Sequence, residues 1–279
     1  MMERLPDLRI VPTASVHPHE EVDEQRAVPL GEKMLAQGVL TNPPIVAQTP
    51  GVDAWVVLDG ANRVTAAKRI ELPTLLVQVV HYDDPAIILS NWAHVVRNFP
   101  ADRFFAEADS LFGSRIAAAP FDAARRDLAG RAISCFFHER NRGTFALWHD
   151  GNRDWHAAEL KALRDVTGIY KDRASILRIH LTAETPQELA GYDGFVVAFP
   201  TFSKSDILRC ALSPEDRLPT GISCHTIPRR ALRVNLPLDV LLSNESLADK
   251  NHRLEAFIAE KARTNSIRLY NEPTFIYDD

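Results

Sequence analysis

Residues 55 to 69 read W-V-V-L-D-G-A-N-R-V-T-A-A-K-R, and no other stretch constrains the fold as tightly. Trp55 to Leu58 form a short apolar run of the kind found in buried strands. Asp59-Gly60 predicts a tight turn, and helix formers begin at Ala61. A turn of this kind points the free N–H groups of the first helical turn at one spot beyond the strand. Unsatisfied donors and the positive end of the helix dipole make that spot favourable for anions. Arg63 adds a guanidinium fork suited to phosphate oxygens. Asp59, at the strand end, is placed to hold a metal or to polarise a hydroxyl. Alone, D-G-x-x-R is equally a plain turn with a surface arginine, so the neighbouring sequence has to carry the assignment.

The chain has 279 residues, enough for one large or two ordinary domains. No run of eighteen apolar residues suggests a membrane span. The N-terminal M-M-E-R-L-P-D-L is charged and has no apolar signal core. Cys135, Cys210 and Cys224 show no C-x-x-C pairing, which points to a reducing cytoplasm rather than a zinc ribbon or disulfide scaffold. A formal net charge of −5 argues against duplex DNA as a partner.

Strands and helices alternate over residues 1 to 85. Strands are predicted at Arg9 to Val16, Ile45 to Ala47, Trp55 to Leu58 and Leu75 to Val80. Helices are predicted at Val22 to Gln37, where Pro29 breaks or restarts the run, and at Ala61 to Ile70. Gly38 is the expected stop of the first helix. Asp83-Asp84-Pro85 marks a boundary, giving an N-terminal domain of residues 1–85 and a C-terminal α/β domain of residues 86–279.

Beyond it, two helices fall within 101–129, and strands at Ile133 to Phe137 and Thr144 to Trp148. Trp155 to Tyr170 is an amphipathic helix. Further strands are expected at Ile176 to His180, Phe195 to Phe199, Ala231 to Leu236 and Ile267 to Tyr270. Helices should span Ser203 to Cys210, with Ser203 as N-cap, and Leu247 to Thr264. The fold class read from this is α/β (α+β), with two halves packed together.

Several collinear segments together resemble one family. They run from I-V-P-T-A-S-V-H-P-H-E-E through N-P-P-I-V, L-D-G-A-N-R and S-N-W-A-H-V to V-V-A-F-P-T-F-S-K-S-D-I-L. They continue in L-P-T-G-I-S-C-H-T-I-P-R-R-A-L-R-V-N-L-P-L and close with I-R-L-Y-N-E-P-T-F-I-Y. The chain is similar to the free L-serine kinases built on the ParB/sulfiredoxin fold, a group that includes ADP-dependent serine kinases and O-phosphoserine synthases. The resemblance implies a ParB/sulfiredoxin-like nucleotide-binding domain at the N-terminus. It also implies transfer of a phosphoryl group from ATP or ADP, with Mg²⁺, to free L-serine or a close analogue. Residues 100 to 170 carry least of it.

In this frame Glu20 corresponds to the general base on the acceptor hydroxyl. Read from the residues alone, Glu20 and Glu21 are ordinary acidic partners of a helix N-terminus. The resemblance makes Asp59 catalytic or metal-holding, and Gly60, Ala61, Asn62 and Arg63 the phosphate cradle. Trp92 and His94 match an element on the acceptor side; as isolated residues they read equally well as a core indole and a satisfied histidine. Ser223 and His225 fall on the acceptor loop, and Arg230 either reaches the acceptor or a phosphate, or faces solvent. Two positions depart from the family pattern. Asn62 stands for a histidine, so it can donate a hydrogen bond but cannot shuttle a proton. Cys224 stands for an arginine and removes a cation from the acceptor loop.

The alternative is a ParB-like regulator in which the cradle binds nucleotide as a switch. It calls for a helix-turn-helix with a basic face. The helices of 101–129 carry Asp102, Glu107 and Asp109 beside their arginines.

Overall fold

The computed structural model describes residues 5–22, 24–149, 155–181, 186–189 and 191–270. In chain order the elements begin with β1 (Asp7–Pro12), β2 (Val16–Pro18), α1 (Glu24–Gln37), β3 (Val39–Leu40), β4 (Ile45–Gln48), β5 (Trp55–Asp59), α2 (Ala61–Arg69) and β6 (Thr74–Val80). Next come β7 (Ile88–Asn91), β8 (Ala93–Arg97), α3 (Ala101–Phe112), β9 (Ile116–Ala118), α4 (Phe121–Ala129), β10 (Ile133–Glu139), β11 (Gly143–Trp148) and α5 (Trp155–Tyr170). The rest are β12 (Ser175–Ile179), α6 (Pro186–Leu189), β13 (Phe195–Ala198), α7 (Lys204–Leu212), β14 (Ser223–Thr226), β15 (Leu236–Pro237), α8 (Leu238–Leu242) and α9 (Leu247–Arg263).

Two larger sheets organise these elements. The first has five strands in the order β1-β6-β4-β5-β2 and mixes parallel with antiparallel pairs. The second has six strands, β12-β8-β13-β10-β11-β9, with every pair antiparallel. Two short ribbons join distant segments: β14 pairs with β7, and β15 with β3.

The W-V-V-L run is apolar throughout because both faces of the first sheet are covered. Val46, Trp55 and Val57 face a core that also holds Met34, Val64 and Leu76. Their alternates Ile45, Ala47, Val56 and Leu58 face a second core with Tyr82, Phe104, Phe137 and Phe195. Phe104 anchors that second core through edge and tilted contacts with Phe137 at 5.0 Å and Phe195 at 4.4 Å. The far face of the six-stranded sheet is closed by Phe121, Ala124 and Leu128 of α4.

Most expected elements are present. α1 runs unbroken through Pro29 and stops at Gly38, whose φ of 67° is the left-handed geometry that glycine adopts freely. Ser203 caps α7 with a complete capping box to Asp206. Two expected strands are not. Of Ala231 to Leu236 only Leu236 enters a ladder, because Gln78 fixes residues 229 to 231 as a loop: its amide donates to the Arg229 carbonyl and accepts from the Ala231 N–H, both at 2.7 Å. Arg233 and Asn235 also have φ of 53°, outside strand geometry. Ile267 to Tyr270 has β-forming residues but no partner strand among the described residues, and Leu269 and Tyr270 are more than half exposed.

The C-terminal segment returns to the first sheet. Val234, Leu236, Leu238, Leu241 and Leu254 join the core beneath β1 and β6. Asn251 of α9 accepts from the Ile10 N–H and donates to the Ile10 carbonyl, each at 2.9 Å. Lys250, 2% exposed, directs its ammonium to the Leu241 carbonyl and Thr74 hydroxyl. Among the described residues no helix is long and apolar enough to cross a membrane.

Candidate active site

Strands β2 and β5 are parallel, with Pro18 opposite Val57. Both chains therefore leave the sheet at the same end, on neighbouring tracks about 4.8 Å apart. Glu20 and Asp59 each lie two residues past that pair, so the topology brings two carboxylates out at the same end of the sheet.

The Asp59 side is the turn expected from sequence. Gly60 is the N-cap of α2 with φ 93°, and its carbonyl accepts from the Arg63 and Val64 N–H groups at 2.9 and 3.1 Å. A Cβ on Gly60 would come within 2.6 Å of the Arg63 guanidinium, so glycine gives the chain its left-handed turn and gives Arg63 its place. Ala61 and Asn62 fill the rest of the first turn and are half-buried. Arg63 lies 3.5 Å from Asp59, and Arg230 is ion-paired with the same oxygen while donating to the His225 carbonyl at 3.2 Å. Burial opposes the charged form of Asp59, but Arg63 and Arg230 outweigh it and hold its carboxyl below the usual range. Gly60→Ala is expected to cost about 1–2 kcal/mol from the left-handed backbone and to displace Arg63, read by denaturant unfolding.

Glu20 is held from the opposite end of the chain. Its Oε2 accepts from the Gly221 N–H at 2.7 Å; its Oε1 accepts from the Ser223 N–H at 2.8 Å and hydroxyl at 2.7 Å. Each carboxylate oxygen accepts about two hydrogen bonds, so Oε2 keeps one acceptor position beyond these three. His19 braces the arrangement. Its Nδ1 donates to the Val57 carbonyl at 2.6 Å, which fixes the tautomer, and its Nε2 lies 2.6 Å from the Ser223 hydroxyl. Burial pushes His19 down, against the pull of Glu20 and the Val57 carbonyl, so the ring is neutral. The one Ser223 hydroxyl hydrogen is then shared between His19 and Glu20.

His225 packs edge-on to His19, with centroids 5.6 Å apart, and its Nε2 lies 2.7 Å from the Tyr82 hydroxyl. Burial, helped by His19, pushes His225 down to about 3. The same burial pushes Tyr82 up. His94 is also fully packed, between the Tyr170 hydroxyl and the Gly221 carbonyl, both at 2.9 Å, and burial pushes it to about 4. Trp92 stands further out. Its backbone N–H donates to the Ile222 carbonyl at 2.7 Å, and its indole stacks on His180 at 4.0 Å.

The structure thus gathers Asp59, Gly60, Arg63, Arg230 and His225 on one side and Glu20 with Ser223 on the other. His94 reaches them through Gly221. His19 and Tyr82 were not singled out from sequence, and Gly221 only as the start of the loop that runs to Arg230. His19 could have been: in a strand reading V-H-P-H, His17 and His19 share a face, and His19 directly precedes Glu20. Among the described residues no group of three or more His, Cys, Asp or Glu side chains is arranged to hold a metal.

The fold is shared with several solved structures, a free serine kinase among them. The chain superposes on SbnI from Staphylococcus aureus with a TM-score of 0.73 and 17% identity, covering 91% of this chain and 97% of that one. A free serine kinase in complex with AMP gives a TM-score of 0.69 at 14% identity, covering 85% and 95%. A glutamate-to-alanine variant in complex with ADP gives 0.68 at 13% identity, covering 85% and 95%. In sequence, 75 residues are 35% identical to the ATP-dependent L-serine kinase of Staphylothermus marinus, spanning 27% of this chain and 30% of that relative's length. No family model matches the chain.

Proposed function

We propose that the protein is a small-molecule kinase that moves the terminal phosphoryl group of ATP or ADP to the hydroxyl of free L-serine or a close analogue, giving O-phospho-L-serine. The observation that carries this reading is the pairing of two unlike carboxylates at one sheet end. Glu20 is held by neutral donors and keeps an acceptor position open on Oε2. Asp59 is clasped by two guanidinium groups at a helix N-terminus. Phosphoryl transfer asks for these two functions: an acceptor for the hydroxyl proton and a cationic cradle for the phosphates. The names of the relatives supply the chemistry of donor and acceptor.

In this reading Glu20 orients the acceptor hydroxyl and takes its proton at Oε2. Gly221 and Ser223 keep the carboxylate from turning away. The Arg63 guanidinium and the N–H groups of Ala61 and Asn62 receive phosphate oxygens, and Arg230 shares Asp59 with Arg63. Trp92, His94, Ser223 and His225 shape the acceptor side, the two histidines as neutral groups.

Magnesium fits the donor set. Mg²⁺ is commonly held by one or two carboxylates with phosphate oxygens and water completing its shell, and Asp59 is an ionised carboxylate at the phosphate turn. Asp59 would hold it, and the ion would neutralise phosphate charge there.

The test is to incubate purified protein with Mg²⁺, ATP or ADP and a panel of hydroxy amino acids, and to follow phosphorylated product by mass spectrometry. Serine should yield O-phosphoserine. A complete absence of product with every acceptor and both donors would overturn the reading.

A further inference from the structure

Three donors hold Glu20, and they are not alike. The Gly221 and Ser223 N–H groups belong to the backbone and cannot turn away. The Ser223 hydroxyl can, because its hydrogen rotates about the Cβ–Oγ bond. It also has a second place to go. Oγ lies 2.7 Å from Glu20 Oε1 and 2.6 Å from His19 Nε2.

The two contacts compete for one hydrogen. The Val57 carbonyl can only accept, so its 2.6 Å contact fixes the ring hydrogen on His19 Nδ1. Burial keeps the ring neutral, which leaves Nε2 as a bare lone pair. An ionised Glu20 likewise offers only lone pairs. Among the described residues no donor other than the Ser223 hydroxyl reaches Nε2.

Charge decides which contact holds the hydrogen. A hydrogen bond to a carboxylate is about twice as strong as one to a neutral group, so the hydroxyl points at Oε1 while Glu20 is charged. Once Glu20 gains a proton on Oε2, Oε1 becomes the weakly basic oxygen of a neutral acid. The imidazole nitrogen is then the better acceptor, and the hydroxyl turns to it. Oε1 keeps the Ser223 N–H, so the carboxyl stays in place. Ser223 retains its O–H bond throughout; only the direction changes.

We propose that His19 is a positioning residue for phosphoryl transfer, receiving the Ser223 hydroxyl hydrogen as Glu20 takes the acceptor's proton. Without Nε2 the hydrogen would stay on Oε1 and oppose that proton. An interaction that forms only as the proton moves lowers the barrier without tightening substrate binding. The part in transfer rests on the kinase reading; the turning of the hydroxyl does not.

Nitrogen NMR on the isotopically labelled full chain reads the turn without turnover. His19→Asn, whose amide can still donate to Val57, identifies the His19 signals by their loss. Removing the carboxylate with Glu20→Ala should move the Nε2 resonance upfield, because the hydroxyl then donates to it. The same change made on Ser223→Ala should leave that resonance unmoved. The kinetic arm measures kcat and serine KM. His19→Asn should lower kcat about tenfold, the size of roughly one hydrogen bond, with KM within about twofold. His19→Gln, whose side-chain oxygen reaches toward the Nε2 position, should recover part of the loss. On Ser223→Ala the His19→Asn change should have no effect. Thermal unfolding of each variant reports on its fold. An Nε2 signal unmoved by Glu20→Ala, or equal losses from His19→Asn with and without the Ser223 hydroxyl, overturns the proposal and leaves the kinase standing. A moving signal in a protein that phosphorylates no acceptor removes the kinase, and with it the part of His19 in transfer, and leaves the turning hydroxyl.

Discussion

Glu20→Ala is expected to lower the rate of phosphoryl transfer at least 100-fold while nucleotide affinity stays within about twofold, because a positioned general base contributes roughly 10²–10⁴. The separation follows from the site. Glu20 is tied to Gly221 and Ser223, whereas the anion-binding turn is built from Gly60 to Arg63 and does not use it. Glu20→Gln keeps the shape but offers amide hydrogens where Gly221 and Ser223 already donate, so it should be no better. The measurement is steady-state turnover alongside AMP or ADP titration. Full activity in either variant would remove Glu20 from its role.

The second large effect is on stability in acid. His94 and His225 are held near 4 and 3 by burial, whereas an exposed histidine in the unfolded chain titrates near 6.5. The folded state therefore binds fewer protons than the unfolded state below that pH. Stability should be level above about pH 6.5 and fall as pH drops toward 4, by about 1.4 kcal/mol per pH unit for each histidine fully protonated on unfolding. His19, pushed the same way, adds to the slope. Urea unfolding at pH 8, 6, 5 and 4 reads this directly, and His225→Asn should flatten the curve. A stability that rose on acidification would contradict the buried, neutral state of these rings.

Much of this was legible in the sequence because it is local. The strand, Asp-Gly turn and helix of 55–69 follow from apolar patterning and turn chemistry, and Ser203 announces its cap within three residues. The collinear segments located both carboxylates. What was not legible depends on partners remote in sequence. Nothing within a short window of Ala231 to Leu236 says that Gln78 will hold that loop open, since the bonds span some 150 residues. Ile267 to Tyr270 has strand-forming residues, yet a strand also needs a free edge, and edges are a property of the finished sheet. His19 shares a strand face with His17 in any reading, but its partner Ser223 lies 204 residues on.

The span between Glu20 and its holders bears on synthesis. Glu20 and Gly221 are 201 residues apart, and Glu20 and Ser223 are 203 apart. At roughly 5–20 residues per second, the carboxylate leaves the ribosome about ten seconds or more ahead of the backbone that will orient it. The anion-binding turn, by contrast, has its backbone and Arg63 within nine consecutive residues from Trp55, with Arg230 alone arriving late. A growing chain can thus acquire the cradle early and the oriented carboxylate only late, so the half-made protein presents a phosphate site with nothing yet aligned to use it.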